Sequence, residues 1–254
     1  MAKMNWLYRV IKWFVKLFYP RIQVRGQEHL PEGPAMIVGN HSQMNGPIAC
    51  ELYTPGKHYT WCASQMMKLK EVPQYAFEDF WANKPKSVRW LYKILSYVIA
   101  PFSVCIFNNA DTIPVYHDAR VIQTFKVTTQ KLCDGAKVVV FPEGKQKHNH
   151  IIHSFQDKFI DIAKLYYKRT GLKLAFVPMY LAPELKLMVY GQPVYFDPEQ
   201  PVQEQREKIC HYLMEEVTAL AQKLPRHKII PYENIPRKNY PYNIPENELE
   251  KTCV

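Results

Sequence analysis

The chain has 254 residues, 47% of them hydrophobic and 22% charged, a globular composition with enough length for one large α/β domain or two small ones. A formal net charge of +10 points to anionic partners, such as nucleic acid, acidic phospholipid or a phosphorylated substrate. The six cysteines (50, 62, 105, 133, 210 and 253) have no paired close spacing, which sets aside a disulfide framework and reads as reduced thiols in a cytosolic compartment.

In chain order, the first twenty residues predict an amphipathic helix. Leu7, Val10, Ile11, Phe14, Leu17 and Phe18 follow helical spacing, Arg9, Lys12 and Lys16 form another face, and Pro20 stops the helix. Trp6, Trp13 and Tyr19 add interfacial aromatics. Basic residues beside Trp and Phe, with no acid among them, are the pattern of a helix lying on an anionic phospholipid membrane surface. Residues 1–20 are therefore expected to hold the protein, peripherally or monotopically, on the cytoplasmic face of the cell membrane. They carry no small-residue cleavage site of a secretory signal.

Residues 21–225 read as one α/β domain. A short strand at Ile22–Arg25 and a Glu32-Gly33-Pro34 turn lead to a buried strand at Ala35–Val38. A helix over about Pro47–Tyr53 and a strand at His58–Ala63 follow. Residues 68–108 are helical, aromatic and basic, a cap or insertion beside the sheet. Within them Ile94–Phe107 is uncharged but broken by Pro101, and falls short of the roughly 18–20 apolar residues that span a bilayer, so it reads either as a core helix with a loop, which its length favours, or as a segment that dips into a membrane face. Strands at Thr112–Tyr116 and Val138–Phe141 flank a helix at Ala119–Leu132. A helix at Phe155–Arg169, strands at Leu174–Leu181 and Leu187–Phe196, and a helix at Val202–Leu224 complete the domain. Strands alternating with helices give an α/β class with a mixed, largely parallel sheet flanked by helices. Residues 226–254 are rich in Pro and Tyr without periodicity, the pattern of an extended or disordered tail.

Two strand ends concentrate residues suited to chemistry. The first runs from Ala35 through Gly39 into Asn40-His41-Ser42-Gln43-Met44-Asn45-Gly46, placing a histidine at a strand-to-helix turn. An alcohol is a poor nucleophile until a base takes its proton, and a neutral histidine near pH 7 suits that task. The second runs from Lys137 through Phe141 into Pro142-Glu143-Gly144-Lys145-Gln146-Lys147. Its turn presents a carboxylate able to accept from an acceptor hydroxyl, a glycine that lets a ligand approach the backbone, and two lysines suited to a phosphate. The two turns are expected to face each other across one sheet. Cys50 near His41 reads as a buried small apolar residue rather than a nucleophile. His148, His150 and His153 read as a polar loop without the acid or cysteine that would complete a metal set. There is no Gly-rich phosphate loop and no dinucleotide fingerprint, so no bound cofactor is expected.

With Ile113-Pro114-Val115-Tyr116-His117 and Val177-Pro178-Met179, these blocks resemble, in order, the four blocks of the glycerophospholipid acyltransferase family over residues 20 to 225. The resemblance implies a membrane-associated acyltransferase that moves a fatty acyl group from acyl-CoA or acyl-carrier protein to a lysophospholipid hydroxyl, the acceptor being like 1-acylglycerol-3-phosphate. It implies His41 as general base with Asn45 and Glu143 in the catalytic set. Ser42, His117, Gly144, Lys145 and Lys147 would bind substrate, with no metal and no nucleic-acid partner.

The chain departs from the family at three points. The family aspartate falls on Gly46, the arginine of the second block on His117, and the Thr-Arg of the third on Lys145-Gln146. Asn45 is placed to hold the histidine ring without supplying charge, and Glu51, Asp118 and Asp157 are candidate replacements for the missing carboxylate. The alternative reading is a non-catalytic relative that binds lipid or a partner.

Overall fold

A computed structural model describes residues 5–82 and 84–245. In chain order its elements are α1 (Asn5–Phe18), β1 (Gln23–Arg25), β2 (Ala35–Gly39), α2 (Asn45–Tyr53), β3 (His58–Ala63), α3 (Val72–Ala76), α4 (Arg89–Asn109), β4 (Thr112–Val115), α5 (Val121–Cys133), β5 (Lys137–Val140), β6 (Glu143–Lys147), β7 (His153–Phe155), α6 (Asp161–Thr170), β8 (Ala175–Ala182), β9 (Leu187–Tyr190), β10 (Val194–Tyr195) and α7 (Val202–Gln222). They fall into two compact units: residues up to Pro20 together with Thr60–Thr124, and Arg21–Tyr59 together with the chain from Phe125 onward.

The second unit carries a mixed sheet in the order β1-β9-β8-β2-β5, with β10 also on β8. The β2–β8, β2–β5 and β1–β9 pairs are parallel, while β9 and β10 run antiparallel to β8. The α/β reading with a largely parallel sheet flanked by helices therefore holds. The central strands are buried on both faces, which is why they read as unbroken apolar runs rather than alternating ones. Met36 to Val38 lie opposite Val138 to Val140, so the ends of β2 and β5 emerge side by side.

Three elements differ from the sequence reading. Glu143 and Gly144 belong not to a turn but to β6, which pairs with β7 in a separate hairpin. The expected helix from Phe155 is in fact the end of β7, a 3-10 turn over Asp157–Ile160, and then α6. The strand expected over Leu187–Phe196 divides at Gly191-Gln192-Pro193, because a proline donates no ladder hydrogen bond.

The tail is irregular as its composition implies, yet residues 226–245 are anchored. His227 and Asn243 are both buried. Asn243 accepts the His227 amide at 2.7 Å and donates to the carbonyls of Ala221 and Leu224 at 2.9 and 3.2 Å, capping the end of α7. The Lys228 amide donates to Glu184. His227 Nδ1 lies 2.8 Å from the Pro225 carbonyl and must carry the proton there, so Nε2 accepts from the Tyr180 hydroxyl at 2.8 Å. These side-chain anchors have no periodicity, so no helix or strand pattern announces them.

Burial holds the His227 imidazole below its ordinary value of 6.5, against the opposing pull of the Pro225 carbonyl and the Glu184 charge. The fold selects the neutral ring, so its contribution to stability is complete above about pH 6.5 and is lost as pH falls through the folded-state value. Urea midpoints measured from pH 7.5 to about pH 5 should fall more steeply in the wild type than in His227→Gln. Parallel curves would contradict this.

In the first unit α1 rests on α4, and β3 pairs in parallel with β4. A small core joins Met66, Val72, Ala76 and Ala100, with the Ser103 hydroxyl donating to the Met66 carbonyl at 3.0 Å. Of the two readings of Ile94–Phe107, the favoured one, a core helix with a loop, does not hold. Pro101 lies inside an unbroken α4 whose buried residues are Ser96, Ala100, Ser103 and Cys105, whereas Trp90, Leu91, Ile94, Tyr97, Val98 and Phe102 are exposed. With its 3-10 lead-in, Lys86–Asn109 is long and apolar enough to cross a membrane. Trp6, Trp13, Phe14, Leu17 and Phe18 of α1 are exposed as well.

Candidate active site

The second unit brings together most of the sequence-derived residues. His41, Ser42, Asn45, Glu143, Gly144, Lys145 and Lys147 all lie there, whereas His117 belongs to the first unit. It is exposed after β4, next to an Asp118 that accepts from Arg120 at 2.6 Å. The Arg120 guanidinium holds the Asp118 carboxyl down at about 2, so that carboxylate is already committed to Arg120.

His41 follows directly on β2, and its main chain is fixed from two sides. Glu143, 4% exposed, accepts the His41 amide at 2.6 Å through Oε1 and the His153 amide at 2.9 Å through Oε2. A buried carboxylate is tolerable only when donors replace its water, and two main-chain amides do so here. Asn40 then ties the turn to β8. Its Oδ1 accepts the Leu181 amide at 2.8 Å, and its Nδ2 donates to the Leu181 carbonyl at 3.0 Å and to Ser42 Oγ at 2.8 Å.

The turn itself is tight. Ser42 and Gln43 both have positive φ, 45° and 54°, which side chains other than glycine adopt at a cost. The Asn45 and Gly46 amides close it onto the Ser42 and His41 carbonyls, each at 3.1 Å, and Asn45 Nδ2 donates to the Ser42 carbonyl at the same distance. Ser42 is 1% exposed, with its hydroxyl accepting from Asn40 and so helping to hold the turn.

Gly46 has a steric explanation. A Cβ at this position would collide with the His41 carbonyl oxygen and lie 3.0 Å from a Phe141 ring carbon. The first turn of α2 thus packs directly on the backbone of His41, and an aspartate at position 46 does not fit this arrangement. The carboxylate that touches His41 is instead Glu143, through the main chain.

The His41 ring meets Phe141 edge-on at 5.2 Å between centroids and Tyr232 at 6.0 Å. Tyr232 also lies 5.7 Å from the ring of His153. His153 is 4% exposed, with Nδ1 3.6 Å from Glu143 Oε2 and Nε2 without a hydrogen-bond partner among the described residues. Burial, with a smaller contribution from the negative charge of Glu143, pushes the Tyr180 phenol well above its ordinary range.

His153 and Tyr232 are the residues that sequence reasoning missed as parts of the site. The first stood in a polar His-Asn-His-Ile-Ile-His run and the second in the aperiodic tail. In the β6–β7 hairpin Phe155 lies opposite Glu143 and His153 opposite Lys147, with an irregular register between them that lets the His153 amide reach the Glu143 carboxylate.

Lys145 and Lys147 are exposed on β6, and Gly144 lies within the same strand, where a Cβ would come 3.3 Å from the Ser154 carbonyl oxygen of β7. Lys147 opens onto a cleft of about 170 Å³ that it shares with Asn149, His150, His153, Pro231 and Asn239. Burial lowers the affinity of His150 for a proton. His148 is engaged by Glu215 at 2.8 Å, and among the described residues no group of three His, Cys, Asp or Glu side chains is placed to hold a metal. Burial pushes the Cys50 thiol up to about 12, which removes it as a thiolate nucleophile near neutral pH.

The steric reading of Gly46 predicts that Gly46→Ala lowers the unfolding free energy by about 1–3 kcal/mol, and that Gly46→Asp lowers it further. Urea titration checks both, and wild-type midpoints would contradict the packing described.

No family model and no curated protein sequence matches the chain. Among solved structures it is similar to the 1-acyl-sn-glycerophosphate (LPA) acyltransferase, PlsC, from Thermotoga maritima, with a TM-score of 0.41 and 17% identity over 84% of this chain and 81% of that one. At that level of similarity the chemistry has to come from the site itself.

Proposed function

We propose that the protein is a membrane-surface O-acyltransferase that moves a fatty acyl group from an acyl thioester, acyl-CoA or acyl-carrier protein, to the hydroxyl of a lysophospholipid. The observation that carries this reading is the meeting of the two sequence blocks: His41 at the end of β2 and Glu143 just beyond β5, joined by a 2.6 Å hydrogen bond. Neither block is informative alone, but a histidine whose backbone is locked by a buried carboxylate has the fixed origin that a general base requires.

In this reading His41 takes the proton of the acceptor hydroxyl as its oxygen attacks the thioester carbonyl. The thiolate of the donor then leaves, carrying the electron pair of the broken C–S bond. Lys145 and Lys147, exposed on the adjoining strand, are the cations available to an acceptor phosphate. Location on the cytoplasmic face of the cell membrane rests on the first unit, whose α1 and α4 expose Trp, Tyr, Phe and Leu beside Arg9, Lys12 and Lys16. A net charge of +10 favours anionic phospholipid.

One observation favours a second reading. Gly46 leaves no room for the aspartate that the resembling family carries there, which suits a lipid-binding relative without turnover. A single assay separates the two. Purified protein, anionic vesicles, a labelled acyl thioester and a panel of lysophospholipids should give labelled diacyl product. Replacing His41 by Ala should cut turnover about 100-fold or more while sedimentation with the vesicles is unchanged. Vesicle binding without product from the wild type would support the lipid binder, and full activity in His41→Ala would overturn the base assignment.

A further inference from the structure

The segment from His227 to Asn243 leaves α7 and returns to it as a closed loop. Its ends are tied by the Ile229 amide to the Pro241 carbonyl at 2.8 Å and by the Asn243 amide to the His227 carbonyl at 3.1 Å. The loop reaches the candidate site at two points. Gln43, in the left-handed turn after His41, donates to the Tyr240 hydroxyl at 3.1 Å. Tyr232 sets its ring 6.0 Å from that of His41 at an interplanar angle of 83°, and 5.7 Å from that of His153.

Glu143 and Asn40 fix the backbone around His41, but a histidine ring still turns about two side-chain torsions. A general base misplaced by about 1 Å loses much of its rate advantage. Edge-on contacts with aromatic rings restrict those torsions without binding the ring nitrogens, which leaves the base its proton chemistry. Phe141 supplies one such contact from within the motif, and Tyr232 supplies another from a segment that the sequence motifs do not include.

We propose that Tyr232 is a positioning residue for His41, delivered by the C-terminal loop. The assignment deepens the acyl-transfer reading and rests on it. Tyr232 is 36% exposed on a loop whose anchors lie elsewhere, so truncating it opens no core cavity.

The test compares wild type, Tyr232→Ala and Tyr232→Phe in full-length protein carrying ¹³C-labelled histidine. Ring resonances are assigned with His41→Gln and His153→Asn, and acyl transfer to lysophospholipid in anionic vesicles is measured alongside. In Tyr232→Ala the His41 and His153 ring resonances should move as the neighbouring ring current disappears. Its kcat should fall about 10- to 100-fold, with KM changing far less. Tyr232→Phe, which keeps the ring, should restore both readouts. Unmoved His41 resonances, or wild-type kcat in Tyr232→Ala, would overturn the proposal. If the wild type transfers no acyl group, the acyl-transfer reading fails. The resonances then decide the placement alone, displacement rescued by Tyr232→Phe sustaining it and unmoved resonances overturning it.

Discussion

A carboxylate removed from water is among the most demanding groups a fold can contain, and the candidate site is built around one. Glu143 lies just beyond β5 and accepts main-chain amides from two places, His41 after β2 and His153 at the start of β7. Each bond is charge-assisted, and together they replace the hydration the carboxylate has lost. The strand-to-helix turn and the β6–β7 hairpin are thereby tied to one charge. Asn40 adds a second tie, to Leu181 of β8, so three strand ends converge on the histidine. Ser42 and Gln43 can hold positive φ because these ties over-determine the turn.

The same convergence explains the residue at position 46. With α2 starting directly against the His41 carbonyl, the chain has room there for a hydrogen and nothing larger. Negative charge reaches the turn through the backbone, from Glu143, and aromatic edges bracket the imidazole. In the proposed chemistry, orientation then draws on backbone locking and ring packing. The first unit contributes a different property, an exposed apolar and aromatic surface on α1 and α4, on which the proposed membrane attachment rests.

How far this was legible in the sequence follows from the physics of each part. Continuous apolar runs such as Ala35–Val38 and Val138–Val140 can hide only inside a parallel sheet, so the central strands and their shared ends were readable. That the two motifs meet followed from their lying at those ends, whereas the bond from the His41 amide to the Glu143 carboxylate had no sequence signal. The exposure of α4 was left open, because an apolar run suits a core helix and a lipid-facing helix alike and its length favoured the core. His153 and Tyr232 were hidden for another reason. The place of His153 depends on an irregular hairpin register, and that of Tyr232 on a loop pinned by His227 and Asn243 through contacts 16 residues or more apart in sequence, and no periodicity marks either. The role of Ser42 in the turn was hidden as well, because a short polar side chain bonding to its own local segment leaves no sequence pattern.

The central claim, that one buried carboxylate locks the backbone at His41 and His153, is most directly tested by amide hydrogen exchange on wild type and Glu143→Gln. The amide NH₂ of glutamine can accept from neither main-chain donor, so at least one bond is lost. The account predicts both amides strongly protected in the wild type and at least one exchanging about tenfold faster or more in the variant, with the amides of β2 and β5 little changed. Equal protection of His41 and His153 in the two proteins would contradict it.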